Sequence, residues 1–424
     1  MNTSENANAG TLDPLFGDMG IATIDLPIPA GYARYTRQVT TLGTGPTARI
    51  YVLVEATGYF LGRLNDDGTP DNTFGDNGIV RAGFSEGVIV NSFAIQADGK
   101  IVVQGYVTDV DSTTTLFTRF ELDGKLDLSF GSDGYTSVNF KFQTASTAPD
   151  DHELRATSSN ASLASVEILP DGKILACNHK GWLIRLTPEG ALDTTFNNTG
   201  YVRVVHPEHP AGAIALYQVQ SQNNGKYVGC GFIIGEPNQA YFVRVDNTGM
   251  IDKTFGPCAD GFLVIEGSKD SGGFALDTLA RQPNQRILGA GYTFAHTSQN
   301  AVMTSIEPDG TPNIQFNRGE PLYTRLEAGK KTIWSGATVQ PDGKIVVAGA
   351  LVSVPSGEFE LVVARYLNET PDASFGDGRG WVITALPVPG GGYATSIALQ
   401  ADRKIVVAAA ASEGNKGMIL RYLP

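Results

Sequence analysis

With 424 residues, 42% of them apolar, the chain has ample material for a packed core and lies far from the composition of a disordered protein. Its 31 basic and 44 acidic groups give a formal charge of −13 with no long basic run, which opposes nucleic-acid phosphates and anionic lipid; neither nucleic acid binding nor membrane insertion is expected. Glycine at 50 copies, proline at 22 and only 18% charged residues disfavour long solvated helices and favour short strands joined by tight turns.

The opening MNTSENANAG lacks the apolar core of a secretory signal, and no apolar run reaches membrane-spanning length. The expectation is a soluble product, cytoplasmic or exported without a cleaved signal peptide, with residues 1–9 a flexible tail and 10–424 one domain. The first recurring element follows at once. LDPLFG at Leu12–Gly17 returns as PDNTFG (Pro70–Gly75), LDLSFG (Leu126–Gly131), LDTTFN (Leu192–Asn197), IDKTFG (Ile251–Gly256), PNIQFN (Pro312–Asn317) and PDASFG (Pro371–Gly376). Its phenylalanine is present every time, as Phe16, Phe74, Phe130, Phe196, Phe255, Phe316 and Phe375, at intervals of 56 to 66 residues. A period of that size marks a repeat architecture.

Between these landmarks runs a second pattern. Turns such as Ala97–Lys100, Pro170–Lys173, Asn223–Lys226 and Pro341–Lys344 precede apolar β-branched runs such as IVVQG and IVVAG. Asp-Gly and Asn-Gly supply positive φ at little cost, so each is a hairpin. An apolar strand ending in arginine plus an apolar residue then leads into the next phenylalanine motif. Four short strands per unit and seven units predict an all-β fold, a seven-bladed β-propeller with four antiparallel strands per blade. The last unit stops at Arg421-Tyr422, where the others continue into the motif, and Leu12–Gly17 is the missing piece. The N-terminal segment is therefore expected to complete the last repeat and close the ring, hiding its strand edges. With its L-D-x-T-F-G-x-x-G turn, D-G-K-I-V-V-A-G hairpin and R-Y strand end, the unit resembles the bacterial delta-60 repeat family of β-propellers from about Gly10 to Tyr422. The first unit departs, with Thr47-Ala48-Arg49 in place of D-G-K. The resemblance implies the fold and carries no catalytic assignment.

Arg63, Arg119, Arg185 and Arg244 each precede an acid by eight residues, at Asp71, Asp127, Asp193 and Asp252; Arg365 precedes Asp372 by seven, and closure would bring Arg421 to Asp13. The remaining unit has Ser305 and Asn313, both charges absent together. A structural ion pair is expected, because a buried carboxylate stripped of its guanidinium costs about 3–5 kcal/mol. The phenylalanines are expected to plug the gaps between blades.

Taking the hairpin as the second-to-third connection and the phenylalanine motif as the link to the next unit places both on one face. The other face carries loops that differ in every unit: Pro27–Tyr35, Val107–Thr115, Gln143–Leu163, His206–Ala213, Gly267–Phe274 and Pro387–Tyr393. Recognition concentrates on such loops. Candidate binding residues are therefore Tyr32, Tyr35, Asp150, Asp151, His152, Glu153, His206, His209 and Tyr393. No catalytic residue, cofactor or metal is expected. In HPEH, His206 and His209 flank Glu208 on a proline-rigid loop without a third ligand, and Cys258 stands alone. Cys177 and Cys230 occupy matching positions in neighbouring units, about 10 Å apart, and read as buried free thiols. Trp182, Trp334 and Trp381 sit at different places in their units, against seven equivalent sugar sites. The reading is a non-catalytic scaffold binding an unknown protein or glycan through its variable face. The alternatives are a hydrolase or lyase at the channel mouth, or a structural or toxin-complex subunit.

Overall fold

The computed structural model describes residues 9–26, 35–56, 58–84, 87–141, 165–209, 213–267, 272–295, 299–411 and 417–424. Seven antiparallel sheets ring a central channel as the blades of a propeller. From the channel outward, blade one comprises Tyr35–Leu42, Arg49–Ala56, Gly58–Asn65 and Ile79–Ala82. Blade two comprises Ile89–Ile95, Ile101–Thr108, Ser112–Phe120 and Tyr135–Lys141. Blades three, four and five repeat that order with inner strands Val166–Ile168, Ile214–Ser221 and Phe274–Arg281. Blade six begins at Lys330–Val339, and its third strand also bridges the short Thr370–Pro371. Blade seven takes Gly392–Leu399, Ile405–Ala411 and Gly417–Tyr422 from the end of the chain and its outer strand, Ile21–Ile24, from the beginning. Helix is confined, among the described residues, to three-residue 3-10 turns, and no helix is long and apolar enough to cross a membrane.

The ring closes inside a turn. Leu423 donates its N–H to the Thr11 carbonyl at 2.9 Å and Gly10 donates to the Leu423 carbonyl at 3.0 Å. Glu121, Lys125 and Gly124 make the same two bonds within one unbroken turn of blade two. Ala9, at the end of the expected tail, is buried, and its carbonyl accepts from Gly376 at 3.1 Å; residues 1–8 lie outside the described residues.

One expectation is corrected. The strand after each phenylalanine motif does not begin the next sheet; it completes the sheet before it, as where Thr118 pairs with Tyr135. The motif is a tight turn whose aspartate N–H bonds back to the arginine carbonyl, Asp127 to Arg119 at 2.9 Å, and this reverses the chain against the strand it has just left. The hairpin therefore joins first to second strand and the motif third to fourth. Shifting the cut by one strand moves both connections together, so they still share one face, and the blade-to-blade crossovers lie on the other.

Each phenylalanine occupies one gap between blades. Phe74 lies with Leu61 of blade one and Phe93 and Val103 of blade two; Phe16 lies with Ile419 of blade seven and Val52 of blade one. The remaining five fill the other five gaps, and all seven are at most 3% exposed. Truncating one to alanine would cost about 3–5 kcal/mol.

Beside six of these rings an arginine and an aspartate meet, with Arg Nε to Asp Oδ2 distances of 2.6 to 2.9 Å: Arg63–Asp71, Arg119–Asp127, Arg185–Asp193, Arg244–Asp252, Arg365–Asp372 and Arg421–Asp13. The guanidinium lies 4.6 to 4.8 Å from the phenylalanine ring centre. Among the described residues, five of the six also donate to a turn carbonyl of the next blade: Arg63 to Leu122, Arg119 to Pro188, Arg185 to Asn247, Arg244 to Pro308 and Arg421 to Asp66. One side chain thus ties the end of its own strand to the next blade.

Sequence reasoning missed a third member. The lysine that ends the hairpin turn reaches the same carboxylate, as Lys100–Asp127, Lys173–Asp193, Lys226–Asp252, Lys344–Asp372 and Lys404–Asp13, at 2.7 to 3.4 Å. In the aberrant first unit Arg49 takes the lysine's place, 2.7 Å from Asp71. The fifth unit replaces the charges with neutral groups: Asn313 Nδ2 donates to Ser305 Oγ at 3.0 Å, and Ser305 donates to Gln282 Oε1 at 2.6 Å.

Candidate functional site

The inner strands present a problem and an opening. An inner edge faces the channel with backbone groups that no further strand pairs. Side chains from the preceding blade satisfy several of them. Gln38 accepts from Phe93 N–H at 2.8 Å and donates to its carbonyl at 3.1 Å; Ser92, Ser165 and Ser396 accept from Val166, Val219 and Val39 at 2.9 to 3.3 Å. Gln218 accepts from Leu279 at 2.6 Å. The channel wall is polar for this reason, and the cavity it encloses measures about 500 Å³.

Six inner strands slip register by one residue at one level, at Arg37, Asn91, Tyr217, Asp277, Ser335 and Thr395. A bulge re-aims side chains, and here it sets the unlike residues Arg37, Tyr217, Asp277, Ser335 and Thr395 around one level of the channel. Arg37 is bonded to Glu55, and lower on the wall Arg281 is bonded to Glu167. Asp277 differs: it is 3% exposed, and neither carboxyl oxygen has a hydrogen-bond partner. Burial pushes its carboxyl up to about 8.

Toward the variable-face ends of the blades lie two aromatic groups. Tyr35 of blade one, Phe359 of blade six and Tyr393 of blade seven share one cluster, with Phe359 and Tyr393 centred 5.2 Å apart and the Arg37 guanidinium 5.7 Å from the Tyr35 ring. Burial raises the Tyr393 hydroxyl to about 12. Beside it Lys330 pairs with Glu327 at 3.0 Å and with Glu360. In blades four and five, Tyr217 packs on Phe232, Phe232 on Phe294, and Phe294 on Tyr292, with centres 5.1 to 5.9 Å apart.

The structure thus brings Tyr35 and Tyr393 together. His206 and His209 sit elsewhere, 4.9 Å apart, with His206 against Phe262 of the outer strand of blade four and its Nε2 4.0 Å from Asp260. Burial, then His209, lowers the His206 pKa. Among the described residues no three His, Cys, Asp or Glu side chains form a group suited to a metal ion. Cys177 and Cys230 are buried free thiols, and Cys258 is exposed. Tyr32, Asp150, Asp151, His152 and Glu153 lie outside the described residues. Asp277 and Phe359 went unnoticed in the sequence. For Asp277 a signal was available: a lone acid inside the apolar run Phe274–Ala280 that aligns with Arg37 and Tyr217 once inner strands are superimposed.

A family model described as a β-propeller domain of unknown function, DUF5122, matches residues 96–130 and 340–375, each stretch running from a hairpin to its phenylalanine. No curated protein matches the chain. Among solved structures, BamB from Moraxella catarrhalis is similar at 12% identity and a TM-score of 0.40, covering 91% of this chain and 85% of that one. Drosophila Plexin A in complex with Semaphorin 1b is similar at 10% identity and 0.47, covering 98% and 88%. The computationally designed Ika8 protein is similar at 8% and 0.40, covering 93% and 98%.

Proposed function

We propose that this propeller, a member of the delta-60 repeat group, is a non-catalytic recognition scaffold that engages a protein or glycan through its variable face. The observation that carries the reading is the difference between the two ends of the blades. At the turn end, the repeated charged side chains are consumed by the arginine–aspartate–lysine network, which holds the ring together. At the other end the crossovers are unlike one another, and half-buried aromatic and charged groups such as Tyr35, Phe359, Lys330 and Glu360 gather there. Aromatic anchors ringed by polar groups are what interface hot spots are made of.

The test compares two sets of variants for retention of a captured partner, with a glycan array run in parallel. Tyr35→Ala with Phe359→Ala, or replacement of the connecting Asp109–Asp111 by a short glycine-containing turn, is expected to abolish capture or glycan retention. Substituting exposed turn-face residues such as Lys125 and Leu128 is expected to leave both intact. Loss with the turn-face set and retention with the loop set would overturn the assignment.

A further inference from the structure

We infer that Asp277, with the Tyr217 and Tyr292 side chains beside it, forms a binding site in the channel wall for a small primary alkylammonium ligand. The inference is independent of the docking role given to the variable face. It begins with charge. Four charged residues line the channel cavity: Arg37, Glu167, Asp277 and Arg281. Arg37 is bonded to Glu55 and Arg281 to Glu167, so Asp277 is the group among the described residues whose charge the wall leaves uncompensated. Buried polar groups are paired as a rule, and one that is not calls for a ligand or a specific role.

The surroundings select the kind of cation. Tyr217 shares the channel wall with Asp277, and the Tyr217 and Tyr292 hydroxyls are both raised, first by burial and next by Asp277. The Tyr292 hydroxyl is also buried without a hydrogen-bond partner. An ammonium group carries three donors, and Asp277 offers it two unpartnered oxygens. Tyr217, which lines the same cavity, adds an aromatic ring of the kind that attracts an organic cation. A calcium ion takes about 6–8 oxygen ligands and magnesium needs a near-octahedral set. No group of three His, Cys, Asp or Glu side chains gathers for either among the described residues. Asp277 is the fourth residue of the strand Phe274–Arg281 and lines the channel cavity, whose wall runs from this level to Thr41, Arg281 and Leu399 at the turn ends of the inner strands. At about 500 Å³ the cavity is of the size that holds small ligands.

Linkage gives the site a pH signature. The ligand binds the carboxylate, while burial keeps the free carboxyl protonated up to about pH 8. Affinity therefore rises with pH until that point, by about fifty-fold between pH 6 and pH 8. The other titratable groups facing Asp277 are Tyr217, Tyr292 and Cys230, each raised by burial and neutral over this range. The experiment is calorimetric titration of the full chain with n-butylammonium chloride, n-butanol and calcium chloride at constant ionic strength, at pH 6 and pH 8. Butylammonium is expected to bind, more tightly at pH 8, and Asp277→Asn to weaken it by about ten- to hundred-fold. Carbon-13 aspartate resonances of the wild type provide a second readout free of any folding defect: the Asp277 carboxyl titration is expected to move to lower pH when the amine is added. Equal binding of butanol, tighter binding of calcium, or a carboxyl titration that the amine does not move would each overturn the site.

Discussion

Asp252 shows what a single residue of the repeat is asked to do. It accepts from Arg244 at 2.6 Å and Lys226 at 2.7 Å on one oxygen, and from Thr254 N–H and hydroxyl at 3.1 and 2.8 Å on the other. Asp252→Asn leaves two cations facing a neutral amide and is expected to cost about 3–5 kcal/mol. Adding Arg244→Ser rebuilds the Ser305–Asn313 arrangement that unit five already uses, so the double variant is expected to be more stable than the single one in chemical denaturation. The same carboxylates set the acid limit. Burial pushes Asp71, Asp127, Asp193, Asp252 and Asp372 up, but hydrogen bonds from the neighbouring hydroxyl and cations outweigh it and hold them low, about 2 for Asp193 and Asp372. A depressed folded pKa contributes stability that is complete above the unfolded value near 4 and vanishes as pH falls through the folded one. The melting temperature is therefore expected to fall steeply between about pH 4 and pH 2. Pairing was legible because arginine and aspartate keep a spacing of seven or eight within the chain and disappear together. The lysine was not, since D-G-K lysines read as ordinary turn residues until the fold sets the hairpin beside the motif. Asp277 escaped for a different reason: its setting comes from Tyr217 of the blade before and Tyr292 of the adjacent strand, not from its own strand.

At the scale of the element, the blade gaps are alike in their phenylalanine and unlike in what surrounds it. The gap between blades five and six holds Phe316 with no guanidinium over it, because Ser305 stands where the arginine would be. The facing turn of blade six, Leu367–Pro371, is one residue shorter than its counterparts and lacks their glycine. Five other gaps have an arginine bonded to a carbonyl of the next blade, and this one has no such side chain to offer. Opening of the ring is expected to start there: in native-state hydrogen exchange, amides of Lys330–Val339 and Ala301–Ile306 should exchange before those of Ile214–Ser221 and Phe274–Arg281. Uniform protection across all seven gaps would contradict this. Strand existence and the turns were readable from the alternation of D-G turns with β-branched runs. The grouping of strands into sheets was not, because a repeat looks the same wherever it is cut; only the register, Thr118 opposite Tyr135, decides.

For the whole molecule, the sequence period identified a closed propeller, and the variable-face loops followed from topology. What sits in those loops did not, because recognition sites depend on which blades converge: Tyr35, Phe359 and Tyr393 are more than 300 residues apart in the extreme and meet only in the ring. Everything at the channel mouth therefore depends on closure by the N-terminal strand, where Ile21–Ile24 pair with Gly417–Leu420 and Asp13 sits 2.9 Å from Arg421. The most direct test is complementation. A chain lacking residues 1–26 is expected to unfold at lower denaturant and with lower cooperativity, and a synthetic peptide of residues 9–26 is expected to bind it and restore the original midpoint. A truncated chain as stable as the full one, or a peptide that neither binds nor restores, would contradict the closed ring.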